Sequence, residues 1–210
     1  MNIILIILSF FISVLMIALS VRLVFYIVRR RKTKTLLSGE RGRDGFLYSL
    51  FSSALGRKCC VLRNIYIRYE DSPESGIMCV PLVIIGSGGV LIAEEKHMRG
   101  FIEDPMRGDW RQFNGNRIVQ FNNPIELNSK RTRALDRVIR GRGFKVPIKG
   151  IVVFTYEDVR FKNRLKRVFS AESSIKYIHA FMNNKCLTDS QVKSLCAFIR
   201  GQSLKVSGGI

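Results

Sequence analysis

The 210-residue sequence is poor in the residues that many catalytic and metal-binding motifs require. Two histidines, His97 and His179, leave little material for Ser-His-Asp or Cys-His catalysis. The five cysteines are odd in number and form no C-x-x-C pair, which disfavours a zinc site and a disulfide framework and predicts reduced, buried thiols. Neither a P-loop ending nor a G-x-G-x-x-G fingerprint is present. Zinc-dependent and nucleotide-dependent functions are therefore not indicated.

Acidic residues are also scarce, because 16 Asp and Glu stand against 35 Lys and Arg, for a formal net charge of +19. An excess of this size favours a polyanionic partner, either nucleic acid or an anionic membrane. Removing the six basic residues up to Lys34 leaves 29 basic and 16 acidic residues, or +13. A hydrophobic content of 47% excludes a disordered basic tail, so the charge belongs to a folded domain.

One long hydrophobic run is present, at the N-terminus. Residues 3–21 contain no charge, Gly or Pro and would span roughly 28 Å as a helix, close to the hydrocarbon core of a bilayer. A cleaved signal peptide would have basic residues before such a run, whereas Arg29-Arg30-Arg31-Lys32 follows it. The positive-inside rule therefore predicts a transmembrane helix over 1–28, a basic linker over 29–37 and a cytoplasmic domain over 38–210.

The remaining sequence alternates between helical and strand periodicities, which predicts a mixed α/β domain with helices on both sides of a central sheet. Turn residues mark two hairpins, and Asn123 followed by Pro124 marks a helix start. The predicted elements are a helix with apolar residues between Phe46 and Leu55, a strand over 59–69, a hairpin over 77–85 and 90–96, a hairpin over 110–121, a helix over 124–140, a strand over 148–156, a basic helix over 158–169, a strand over 175–181, and a helix from Thr188 to Ile199.

The segment Leu91-Ile92-Ala93-Glu94-Glu95-Lys96 carries the clearest chemical signal. Strand alternation places Glu94 and Lys96 on one face at the end of the strand and Glu95 on the other. A carboxylate beside an ammonium in this position is used in metal-assisted phosphodiester cleavage, where the carboxylate holds the metal and the lysine orients water. The same pair also occurs as an ordinary ion pair on solvated strands, and the tripeptide does not distinguish the two.

Several stretches, taken in order, resemble the nuclease-related domain (NERD) family, a branch of the PD-(D/E)xK restriction-endonuclease-like fold. The resemblance spans roughly residues 38–155 and depends on the order and spacing of its pieces. It implies a mixed central sheet flanked by helices, a nucleic-acid substrate or partner, and a bacterial setting at the inner membrane. The matching stretches are Gly39-Glu40-Arg41-Gly42, Gly88 to Lys96 with Gly100, Asp109-Trp110, Phe121 to Ile125, and Ile151 to Phe154.

The resemblance also implies roles for individual residues. Glu94 would be a ligand of Mg²⁺, Lys96 the catalytic lysine, and Glu40 an auxiliary acid and second ligand on the first helix. The sequence departs from the family at Pro81, which replaces the strand aspartate, and at Leu127, which replaces a glutamine. Because proline donates no ladder hydrogen bond, it also indicates a bulge or an edge strand there.

Lys130, Arg133, Arg137 and Arg140 share one face of the predicted helix over 124–140. With the predicted basic helix over 158–169 they would form a surface for phosphate backbones, although such charges also form solvated faces or dock on anionic lipid. Three functions remain open. They are a membrane-anchored Mg²⁺-dependent nuclease, an inactive nuclease-like domain that binds DNA or an unidentified protein, and a scaffold held against lipid.

Overall fold

The computed structural model describes residues 11–24, 27, 45–71, 74–105, 107–163 and 165–207. At the N-terminus, residues 11–24 are helical, and their large apolar side chains are exposed. Within the described ranges, no helix is long and apolar enough to cross a bilayer. The predicted transmembrane span also includes residues 1–10, which lie outside those ranges, as does the predicted linker over 29–37.

From Phe46 onward, helices and strands alternate as the sequence predicts for a mixed α/β domain. Helices α1–α4 and strands β1–β9 are numbered in chain order. They are α1 (Phe46–Leu55), β1 (Cys60–Asp71), β2 (Glu74–Gly86), β3 (Gly89–Lys96), β4 (Phe101–Glu103), β5 (Trp110–Asn114), β6 (Arg117–Phe121), α2 (Pro124–Gly141), β7 (Ile148–Phe154), β8 (Arg160–Phe161), β9 (Val168–Ser170), α3 (Ala171–Met182) and α4 (Asp189–Ser207).

The strands form two mixed sheets. The larger has the order β1-β2-β3-β7-β9, with antiparallel pairing from β1 to β3 and parallel pairing from β3 through β7 to β9. The smaller has the order β6-β5-β4-β8 and packs through Ile102 and Trp110 against Val152 and Phe154 of β7. The parallel strands β3 and β7 therefore lie in the interior of the fold, and their carboxyl ends define one edge of the larger sheet.

Helices cover both faces of the larger sheet, as predicted. Strand β3 shows the division, because Val90 and Ile92 belong to the core under α2 and α4, whereas Leu91 and Ala93 belong to the core under α1 and α3. All four residues are completely buried. This alternation assigns each side chain at the end of β3 to one helical layer or the other.

Local signals account for several of the predicted elements. The side-chain oxygen of Asn123 accepts hydrogen bonds from the backbone N–H groups of Ile125 and Glu126, which caps α2 as predicted. The turn before β3 needs glycine, because a Cβ at Gly88 would lie 1.9 Å from the carbonyl oxygen of Phe181. Residues 86–89 thus form a tight turn pressed against α3, in agreement with the hairpin predicted over 77–85 and 90–96.

Two predicted elements are wrong. The predicted basic helix over 158–169 instead contains strands β8 and β9, and Arg167 has a left-handed backbone (φ 65°) that interrupts any helix. The apolar residues of segment 158–169 pack beneath the smaller sheet, and this tertiary burial overrides the helical spacing of the charges. The predicted strand over 175–181 lies in helix α3, whose start is fixed by a capping box between Ser170 and Ser173.

The prediction of reduced, buried thiols is also wrong in part. Cys60 on β1 and Cys196 on α4 form a disulfide, with their Cα atoms 6.4 Å apart. The two residues are 136 positions apart, so no local spacing signals the pairing, which follows from the packing of α4 on the sheet. The free cysteines also differ in burial, because Cys59 and Cys79 are partly buried and Cys186 is exposed.

Candidate functional site

The side chains at the end of β3 point as strand alternation predicts. Lys96 Nζ lies 3.0 Å from Glu94 Oε1, on the face covered by α2. Glu95 lies on the opposite face, where its Oε1 accepts a 3.0 Å hydrogen bond from the backbone N–H of Leu47 in α1. Glu94 and Lys96 are therefore brought together, and Glu95 accepts a backbone hydrogen bond at the start of α1.

Glu94 is a buried carboxylate, with only 5% of the residue exposed. Its second oxygen pairs with the guanidinium of Arg131, which projects from α2 and is itself largely buried. Nε of Arg131 also donates a 2.9 Å hydrogen bond to the carbonyl oxygen of Cys79 on β2. We refer to Glu94, Lys96 and Arg131 as the Glu94 centre. With one carboxylate and two cations, it carries a formal charge of +1.

The position of Arg131 is fixed by Asn128, one helical turn earlier in α2. The Asn128 side-chain N–H group donates to the carbonyl oxygens of Ile151 (2.8 Å) and Ile92 (3.4 Å), and so spans the parallel strands β7 and β3. Gly150 permits this close approach, because a Cβ there would lie 2.9 Å from the Asn128 amide nitrogen. The contact fixes α2 along the sheet and brings Arg131 to Glu94.

Pro81 interrupts the regular pattern of β2 beside this centre. Pairing of β2 with β3 ends at Leu82 and Ala93, so Pro81 comes one residue beyond the last pair, as Glu94 does on β3. The alternation of faces also shifts here, because Val80 and Val83 both lie in the core under α2 and α4. The predicted irregularity is present, but β2 is an inner strand, so the alternative of an edge strand is wrong.

Hydrogen bonds also connect the residues that follow β3 and β7. His97 Nδ1 lies 2.9 Å from Thr155 Oγ1, and the backbone N–H of Thr155 donates to the carbonyl oxygen of Lys96. His97 Nε2 lies 3.6 Å from Glu95 Oε1. His97 therefore connects the ends of β3 and β7 through Thr155 and lies close to Glu95.

The residues around Glu94 do not fit Mg²⁺. A hard divalent cation needs several oxygen ligands, but both Glu94 oxygens are engaged by cations and Pro81 supplies no carboxylate. In the described part of the chain, no group of three or more His, Cys, Asp or Glu could hold a metal ion. Glu40, the second predicted ligand, lies outside that part.

The four cations predicted to contact nucleic acid are all exposed on α2. Arg140 forms an i,i+4 ion pair with Asp136, with Nε 2.8 Å from each carboxylate oxygen. The predicted second basic helix is absent from 158–169, so α2 alone carries the helical part of this surface. We call the four residues the basic row: Lys130, Arg133, Arg137 and Arg140.

Sequence reasoning missed Asn128 and Arg131, although a signal for each is present. Both lie within the stripe of α2 that also contains the buried residues Ala134, Leu135 and Ile139. A polar or charged residue within such a stripe needs a buried partner, which indicates a specific contact with the sheet. The partners themselves, on β3 and β7, are set by tertiary packing.

The comparison with known families agrees with this architecture. The profile of the nuclease-related domain family matches residues 38–155, which are 118 of the 210 residues. The chain belongs to the NERD family. Neither a curated protein nor a solved structure shows significant similarity to the chain. The matched region of this NERD protein includes β3, Pro81 and all of α2, so the Glu94 centre and the basic row both lie within it.

Proposed function

We propose that this NERD protein binds nucleic acid through its phosphate backbone and does not cleave it at the Glu94 centre. The basic row carries the proposal, because four exposed cations lie along one helix of a chain with a net charge of +19. Lys130 to Arg140 covers about 15 Å of helix, which runs beside roughly four phosphates of one strand at one per ~3.4 Å. Contacts of this kind confer affinity with little sequence preference.

Cleavage is disfavoured by the contacts of Glu94. Metal-assisted hydrolysis needs a carboxylate that is available to a cation and a second ligand near it. Here Arg131 and Lys96 neutralise Glu94, and proline replaces the aspartate that the family resemblance implies on β2. The NERD fold does not by itself imply hydrolysis, because one fold can serve different activities. A fold that is retained while its centre has changed therefore supports binding rather than hydrolysis.

We further propose that residues 1–28 anchor the protein in the bacterial inner membrane, with the NERD domain on the cytoplasmic side. The support is the uncharged run over 3–21 and the basic cluster after it, whereas the Cys60–Cys196 disulfide argues against the cytoplasmic side, because thiols are kept reduced there. A tethered basic domain also meets anionic lipid, to which each surface cation contributes about 1 kcal/mol. Lipid therefore competes with nucleic acid as the partner of the basic row.

Competition between the two polyanions tests the proposal. The full chain, in a neutral detergent with EDTA, is mixed with labelled duplex or single-stranded DNA and then challenged with anionic or zwitterionic vesicles. We expect salt-sensitive DNA binding that persists in EDTA, with anionic vesicles displacing only part of it. Failure to bind either DNA, together with capture by anionic vesicles that depends on the basic row, would contradict the proposal and favour a lipid scaffold.

A further inference from the structure

Arg131 connects two features that look unrelated in the sequence. On β2, pairing with β3 stops at Leu82, and the carbonyl oxygen of Cys79 beyond Pro81 accepts a hydrogen bond from Arg131 Nε instead. On β3, the same guanidinium pairs with Glu94. One side chain thus bridges the two strands at the point where their ladder ends.

We infer that Arg131 is a resident cation that holds Glu94 in place of a metal ion and joins β2 to β3 past Pro81. The planar guanidinium suits both tasks, because its donors form a rigid fork. A buried carboxylate needs compensating charge, and Arg131 supplies it from within the chain. The Glu94 centre is consequently complete without any metal.

This role predicts what the loss of Arg131 exposes. Arg131→Gln removes the cation and frees the second oxygen of Glu94 together with the carbonyl oxygen of Cys79, while Lys96 stays paired with the first oxygen. A divalent cation then has two oxygens to bind where the guanidinium lay, and no longer meets its charge. Nucleic-acid binding by the basic row does not depend on this role, so either can fail without the other.

Binding of Mn²⁺, measured by the loss of the free-ion EPR signal, tests the inference on full-length wild type, R131Q and R131Q/E94Q. We expect R131Q to bind Mn²⁺ at least roughly 10-fold more tightly than the wild type, because the repelling charge is gone, and added Glu94→Gln to abolish the gain. Equal binding by the wild type and a folded R131Q protein would overturn the inference. So would Mn²⁺ binding by wild type that Glu94→Gln removes.

Thermal unfolding provides a second test that does not require a variant to bind metal. Because removing one partner of a buried ion pair leaves the other uncompensated, R131Q should lower Tm by about 5–10 °C, with Lys96 limiting the loss. Adding Glu94→Gln to R131Q should recover part of that loss, and Mn²⁺ should not change Tm of the wild type. An unchanged Tm in R131Q, or a wild-type Tm that rises with Mn²⁺ through Glu94, would overturn the inference.

Discussion

The basic row predicts how strongly nucleic-acid binding depends on salt. Each phosphate contact made by Lys or Arg releases a condensed counterion, so affinity falls with salt in proportion to the number of contacts. Lys130 and Arg133 are exposed, and neither contributes to the hydrophobic clusters. The substitution pair Lys130→Gln and Arg133→Gln therefore removes two charges with little expected effect on folding.

The expected magnitude follows from the count of four cations. Four contacts with duplex DNA give a slope of log K against log [salt] of about −3.6, so a fourfold rise in salt weakens binding about 150-fold. Two contacts give a slope of about −1.8 and only about a 12-fold loss. On single-stranded DNA the four-contact slope is about −2.8.

Fluorescence anisotropy with labelled DNA over a series of salt concentrations measures both slopes. Lys58→Gln with Lys176→Gln is the matched control, because it removes the same charge from exposed positions near α1 and in α3. These two helices lie on the opposite face of the sheet. The reasoning would be refuted if K130Q/R133Q left the slope unchanged, or if the control pair lowered it equally.

Two further predictions concern the scaffold. The Cys60–Cys196 bond closes a separation of 136 residues, for which the chain-entropy model gives about 5 kcal/mol, so C60S/C196S should lower the free energy of unfolding in urea substantially. A reductant should lower it equally in the wild type and have no effect on the variant; insensitivity of the wild type would contradict the pairing. Gly150→Ala should lower the free energy of unfolding by about 1–3 kcal/mol, because its Cβ would lie 2.7 Å from Thr132 Oγ1. Gly141 lies in the same helix as Thr132, but a Cβ there would meet open space. Gly141→Ala should therefore raise the free energy of unfolding, by up to about 1 kcal/mol. Equal effects of the two glycine substitutions would contradict the close approach of α2 to β7.

The sequence was sufficient to predict those elements whose structure is determined by residues close to one another in the chain. The apolar spacing from Phe46 to Leu55, the Asn123 cap and the glycine turn before β3 each have a local cause, and each corresponding element is present. The failure over 158–169 arose because charges at helical spacing appeared to define a helix. In the folded chain, the apolar residues between those charges are covered by the smaller sheet, which no local pattern reveals.

The candidate site shows the same limit. Alternation along β3 was enough to place Glu94 beside Lys96 and Glu95 on the other face. The partner that determines the chemistry of Glu94 is Arg131, which is 37 residues away and reaches it because Asn128 fixes α2 against two strands. Contacts over such distances depend on packing, so the sequence signalled only that a charge lay within a buried stripe.

The central claim is that the NERD domain holds nucleic acid without metal-dependent cleavage. The most direct measurement incubates the full chain, free of contaminating nuclease, with supercoiled, linear and single-stranded DNA in Mg²⁺, Mn²⁺ or EDTA, beside Glu94→Ala/Lys96→Ala. We predict that the DNA remains intact in every tube and is bound to the same extent in EDTA as in Mg²⁺ at matched ionic strength. Metal-dependent cleavage by the wild type that is lost in the double variant would contradict the claim.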